Sequence, residues 1–162
     1  MTTVYLSMSD SKYGDIEKRV RTSFENSCIC WIEEITYPLI DEYVNCRESL
    51  GGDFKELSLF HGTHEKLVNI IIREGFDPSK NVRSVYGRGA YFAKDASYSF
   101  NYMASNEGND ISFMFLCDVL VDHSVLTNSV LTNARENPTI FVVPKREAIL
   151  PRYVIAFHKS AK

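Results

Sequence analysis

The sequence predicts one α+β domain, and three observations carry that reading. Up to about residue 56 the apolar residues recur at helical spacing. From Ile111 onward the apolar runs are rich in β-branched and aromatic residues, the composition of strands. Between the two lies a glycine-bounded stretch, Gly87 to Tyr102 (GRGAYFAKDASYSFNY), with more polar-aromatic chemistry than a plain core element needs. Helices segregated from strands along the chain define the class. A length of 162 residues suffices for one real core and is short for two. With 44% hydrophobic and 24% charged residues, disordered and fibrous classes are excluded.

Residues 1 to about 10 read as a loose leader. Ile16, Val20 and Phe24 then recur at four-residue steps, which predicts an amphipathic helix. In CICWIEEITY, Ile32 and Ile35 stand at helical spacing with Trp31 as a core anchor, and Pro38 breaks or restarts the helix. LIDEYVNCRESLGG resumes it through Leu39, Tyr43 and Cys46 or Arg47, and stops at Gly51 and Gly52. LSLF, from Leu57, reads as a buried strand that delivers His61, Gly62, Thr63 and His64 at its end. EKLVNIIIREGF is a helix closed by Gly75, and DPSKNVR is a surface loop able to cover a site.

In the central stretch, Ala90 to Ala93 (AYFA) predicts a short strand, and Asp95 predicts a helix N-cap. Gly87 and Gly89 permit close backbone approaches. A helix after Asp95 would put Tyr98 and Tyr102 on one face with Ser99 beside them, an aromatic wall with a hydroxyl that suits a flat, amide-bearing ring. Simple core packing of the tyrosines is the competing reading. Ile111 to Val121 predicts one long strand, and the tandem SVLTN copies, too short for a solenoid, a connecting loop. TIFVV (Thr139 to Val143) and YVIAF (Tyr153 to Phe157) predict two more strands, with Pro144 and Pro151 limiting pairing between them.

Several function classes drop out. A net charge of -3 and a pI near 5.8 argue against a dedicated nucleic-acid binder. Cys28, Cys30, Cys46 and Cys117 lack the spacing of a zinc site and read as buried free thiols, which suits a reducing, intracellular compartment. The first residues show neither a signal peptide nor a membrane span. His61 and His64 lack a third partner at metal-ligand spacing, which leaves His64 structural. The GRG triplet lacks the third glycine and the βαβ context of a dinucleotide fingerprint, and no GxSxG elbow or P-loop occurs.

Taken together, LFHGT (Leu59 to Thr63), GRGAYFA (Gly87 to Ala93), SFNY (Ser99 to Tyr102) and PTIFVV (Pro138 to Val143) resemble, in order and spacing, the catalytic domain of the poly(ADP-ribose) polymerase family, the diphtheria-toxin-like ADP-ribosyltransferases. ITYPLIDEY is similar to a front motif of that family with Tyr37 in place of an asparagine, and ILPRYVIAF to its last strand. The resemblance covers about residues 16 to 158. It implies an ADP-ribosyltransferase fold of two mixed or antiparallel sheets that form an NAD cleft flanked by helices.

By the same resemblance NAD is the co-substrate, held by His61 at the adenosine ribose, by Gly62 and Ser99 at the nicotinamide amide, and by Tyr102 and Tyr91 on either side of the ring, with Thr63 among the binding residues. A cationic pyridinium over a tyrosine face gains roughly 0.5 to 2 kcal/mol. The third catalytic position, a glutamate in chain-elongating members, is Ile140 here, which can neither stabilise an oxocarbenium-like state nor activate a ribose hydroxyl. That points to the subset transferring single ADP-ribose units to protein acceptors, Asp or Glu side chains and the chain itself included. An NAD- or ADP-ribose-binding module without turnover and a transferase acting on nucleic-acid termini are the competing readings. No membrane partner is expected. The 56 residues before Leu57 are too few to hold both an inhibitory helical domain and the support helices, so open access to NAD is expected.

Overall fold

The computed structural model describes residues 3–36, 39–80, 88–100, 110–128 and 138–158. Among the described residues eight strands form one sheet: β1 (Thr3–Tyr5), β2 (Ile29–Ile35), β3 (Lys55–Thr63), β4 (Ala90–Ala93), β5 (Ile111–Val121), β6 (Leu126–Thr127), β7 (Ile140–Val143) and β8 (Ile149–His158). The α-helices described are α1 (Ser11–Ser23), α2 (Ile40–Ser49), α3 (Glu65–Glu74) and α4 (Ala96–Phe100). The strand order is β1-β2-β8-β5-β3-β4-β7-β6, and every pairing is antiparallel. The expectation of two sheets is therefore corrected to one. The division survives as a seam, because β3 pairs with β5 over nine residues but with β4 only at Phe60↔Ala93.

Two apolar clusters cover the two faces of this sheet. On one face Tyr13, Ile16 and Val20 of α1 and Ala96 of α4 pack on Ile32, Phe60, Met114, Leu116, Ile155 and Phe157. On the other, Tyr43 and Cys46 of α2, Ile71 and Ile72 of α3, and Phe76 pack on Ile35, Leu59, Phe92, Phe115 and Val154. Side chains alternate along a strand, so neighbouring residues serve opposite faces. Phe60, Phe92, Phe115 and Phe157 are almost wholly buried, each worth roughly 1.5–3 kcal/mol of apolar transfer.

That alternation explains the main error in the sequence reading. Ile32 and Ile35, three residues apart, would share a face on a helix; on β2 they take opposite faces and join different clusters. The β-branched and aromatic content of ICWI was the stronger signal. Trp31 is half-buried rather than a core anchor: its Nε1–H donates to Glu33 at 2.9 Å, and its ring meets Tyr5 and Phe113 edge-on. Thr3–Tyr5, expected within a loose leader, pairs with β2 as an edge strand.

Other elements follow the local signals closely. Asp10 caps α1 by accepting the Lys12 N–H at 2.9 Å. Gly75 ends α3 at φ 79°, its N–H donating to the Ile71 carbonyl. β8 starts earlier than expected, at Ile149, and takes Pro151 into the strand where the register shifts between Leu116 and Cys117. Such an irregularity tolerates a residue without an N–H. Cys46 and Cys117 are buried free thiols as expected, whereas Cys28 and Cys30 are exposed. Part of the DPSKNVR loop forms a 3-10 turn at Pro78–Lys80; its remainder and the second SVLTN copy lie outside the described residues. No helix among the described residues is long and apolar enough to cross a membrane.

Candidate active site

Among the described residues, the expected site residues lie at or above the Phe60↔Ala93 rung of the β3–β4 seam. Past the Phe60↔Ala93 rung the strands no longer pair, and the His61 side chain bridges from one to the other. Its Nδ1 lies 2.6 Å from the Tyr91 carbonyl oxygen. A carbonyl only accepts, so Nδ1 carries the hydrogen. Phe76 meets the ring edge-on at 4.8 Å and Phe92 is tilted at 5.3 Å, which fixes the ring plane. The residue as a whole is half-buried, and these neighbours remove most of the water from the ring. Burial pulls the His61 pKa down to about 4, against the smaller opposing effect of the Tyr91 hydrogen bond. At neutral pH the imidazole is uncharged, with Nδ1–H committed and Nε2 presenting a lone pair.

Register assigns the other residues to faces. Ala93 pairs with Ile140, Tyr91 with Val142, and Phe60 with Ala93. Tyr91, Ile140 and Gly62 therefore lie on the Phe60 face. α4 packs against β3 and β4 on that same face through Ala96, and carries buried Ser99. His61 and Thr63 take the opposite face. The expected site residues thus flank the seam from both sides, with Gly62, Tyr91, Ser99 and Ile140 brought to one side of it. Tyr102 and Gly87 lie outside the described residues.

Three local features mark this arrangement. Gly89 sits at φ 148°, and a Cβ there would stand 2.7 Å from the Val143 carbonyl oxygen, so only glycine lets β4 start this close to β7. Thr63 is 4% exposed, and its Oγ1 is the one buried side-chain polar atom without a hydrogen-bond partner among the described residues. His64 is structural, as expected: it caps α3 by accepting the Lys66 N–H at 3.0 Å.

Two residues that sequence reasoning missed also shape the site. Buried Asn128 accepts the backbone N–H groups of Thr139 (3.0 Å) and Ile140 (3.3 Å), and its own N–H donates to the Ile140 carbonyl at 3.3 Å. Its side-chain amide also donates to Thr139 Oγ1 at 2.9 Å. Arg19 reaches the seam from α1. Asn128 falls inside an SVLTN repeat and Arg19 in a charged run, so nothing local marks either one. Below the Phe60↔Ala93 rung lies a cavity of about 880 Å³, bordered by Arg19, Lys55, Ser58, Lys94, Pro138 and Phe141. None of the expected site residues among the described ones borders it, so it is a feature separate from the His61 end.

The profile of the poly(ADP-ribose) polymerase catalytic domain matches residues 12–138, and the chain belongs to that family. It is 31% identical over 135 residues to protein mono-ADP-ribosyltransferase PARP12 of Mus musculus and 32% identical over 137 residues to that of Homo sapiens, covering 72% of this chain and 19% of each relative. A probable poly [ADP-ribose] polymerase of Dictyostelium discoideum is 33% identical over 119 residues, or 67% of this chain and 35% of that protein. The chain thus spans about a fifth of the length of the PARP12 relatives. The matched span ends two residues before Ile140.

Proposed function

We propose that this domain is an NAD-dependent mono-ADP-ribosyltransferase, which releases nicotinamide and transfers single ADP-ribose units to protein acceptors. The observation that carries the reading is the His61–Tyr91 hydrogen bond at 2.6 Å. It leaves a neutral imidazole whose Nε2 can accept a hydrogen bond from a ribose hydroxyl, as the family motif requires of this position. The unpartnered Thr63 hydroxyl, two residues on, gains a partner when a polyhydroxylated ligand lies along the end of β3. The names of the PARP12 relatives support transfer of single units.

In this reading the cleft runs along the seam. Gly62 offers backbone groups and Ser99 a hydroxyl to the nicotinamide amide, and Tyr91 and Tyr102 enclose the ring. Enclosure removes water from the glycosidic carbon as its bond to the pyridinium nitrogen breaks, and nicotinamide departs neutral. A carboxylate oxygen of an Asp or Glu acceptor then forms the new bond to that carbon, with no proton to be removed because the acceptor is already ionised at pH 7. Ile140, 6% exposed and paired with Ala93, supplies wall and no charge. The four free cysteines support an intracellular location, cytoplasmic or nuclear.

Incubation with adenine-labelled NAD tests the proposal. Nicotinamide release with label on protein, lost in a folded His61→Ala variant, is the expected result. NAD binding without nicotinamide release identifies a binding module instead. Label transferred only to oligonucleotides identifies the nucleic-acid reading.

A further inference from the structure

The sheet is weakest where the site needs it most stable, since a single rung, Phe60↔Ala93, joins its two parts. Immediately below that rung β4 has ended, and a cavity opens where further rungs would lie. One side chain spans the opening. From α1, Arg19 NH2 donates to the Ser58 carbonyl of β3 and, at 3.3 Å, to the Lys94 carbonyl just past the end of β4. Its guanidinium carbon also stands 4.8 Å from the centroid of the Phe60 ring, so it stacks on a member of the rung itself. Half-burial costs the guanidinium part of its hydration, which Asp95 partly offsets. A cation held there at that cost, on one carbonyl of β3 and one just past the end of β4, acts as a clamp.

We propose that Arg19 is a positioning residue: its guanidinium stands in for the missing strand-to-strand hydrogen bonds below Phe60 and Ala93, and sets the spacing at which His61 meets the Tyr91 carbonyl above them. The two contacts lie on either side of the same rung, so loosening one lets the strands pivot at the other. If Tyr91 moves away, His61 loses the acceptor that holds its hydrogen on Nδ1. The Nε2 lone pair is then available in only part of the population. The role in catalysis rests on the His61 assignment made above, whereas the effect on the imidazole can be read without any turnover.

The test compares Arg19→Met, which keeps bulk and loses every donor, with Val20→Ala, which weakens the apolar packing of α1 on the same face of the sheet and removes no hydrogen-bond donor. The ring nitrogens of His61 are observed by 15N NMR in the absence of NAD, and kcat and KM for NAD are measured in parallel. Wild type is expected to show protonated Nδ1 and bare Nε2. Arg19→Met is expected to show a mixture of tautomers and about a tenfold or greater loss of kcat, with KM changed less than about threefold. Val20→Ala is expected to keep the wild-type nitrogen shifts at a comparable loss of stability. Arg19→Lys, which retains a donor and the charge over Phe60, is expected to restore the wild-type tautomer. Should Arg19→Met not fold, Arg19→Leu, which likewise carries no donor, takes its place with the same expectation. Wild-type His61 shifts in the folded Met or Leu variant, or the same change in Val20→Ala, overturn the proposal. An inactive wild-type chain defeats the transferase reading alone and leaves the tautomer comparison to decide the role of Arg19.

Discussion

The His61 ring donates its Nδ1 hydrogen across the seam of the sheet to the Tyr91 backbone, 2.6 Å away, and so the position of one expected catalytic residue is set by the main chain of another. Because the contact uses the Tyr91 carbonyl, substitution of the Tyr91 side chain leaves the imidazole orientation intact. Tyr91→Ala and His61→Ala should therefore fail differently. The first should keep the His61 tautomer seen by NMR, while the second removes the acceptor altogether.

The lowered pKa of His61 makes stability depend on pH. Folded His61 titrates near pH 4, against 6.5 for the unconstrained side chain. As pH falls below 6.5 the unfolded chain takes up a proton that the folded chain refuses, so stability is full above that value and declines toward pH 4. The slope from this residue is at most about 1.4 kcal/mol per pH unit. Urea unfolding at pH 7 and pH 5 should show a smaller difference for His61→Gln than for wild type. Equal differences would mean that the ring is not held neutral.

Gly89→Ala should destabilise by about 1–3 kcal/mol, through strain at φ 148° and collision with the Val143 carbonyl. At roughly 2–4 °C per kcal/mol for a chain of this size, the drop is measurable by thermal melting. Gly52→Ala, with open space around the new methyl group, is the matched control and should melt near wild type.

Asn128→Ala should cost about 1–3 kcal/mol, since it leaves buried N–H groups at the start of β7 without an acceptor. Hydrogen exchange gives a local readout. The amides of Thr139 and Ile140 should exchange faster, while those in the centre of β5 follow only the change in global stability. Uniform acceleration would refute a local clamp.

Products of the wild-type chain should carry one ADP-ribose per site, because Ile140 offers no acceptor atom to a ribose hydroxyl. Long heterogeneous polymer on a gel would refute this. Ile140→Val should cost about 0.5–1.5 kcal/mol. Ile140→Glu should destabilise more, by placing a carboxyl at a position 6% exposed, and should not produce polymer.

The sequence by itself determined the elements whose signals are local: the AYFA strand, the long strand from Ile111, α1 with its four-residue repeat, and α3 with glycine at its end. The motif set from LFHGT to PTIFVV also made the family and the candidate site residues legible, because the order and spacing of short segments survive in the chain itself. Tertiary structure alone decided that Ile32 and Ile35 face opposite ways, that Thr3–Tyr5 is a strand, and that the sheet is one body joined at a single rung. It alone decided that His61 is neutral with its hydrogen on Nδ1, that Asn128 anchors Ile140, and that Arg19 spans the seam. The physical reason is common to all of these: strand pairing, burial and hydrogen-bond partnership depend on residues distant in the chain, 12 positions for Asn128 to Ile140, 30 for His61 to Tyr91 and 75 for Arg19 to Lys94, and no local pattern encodes which distant group a side chain will meet.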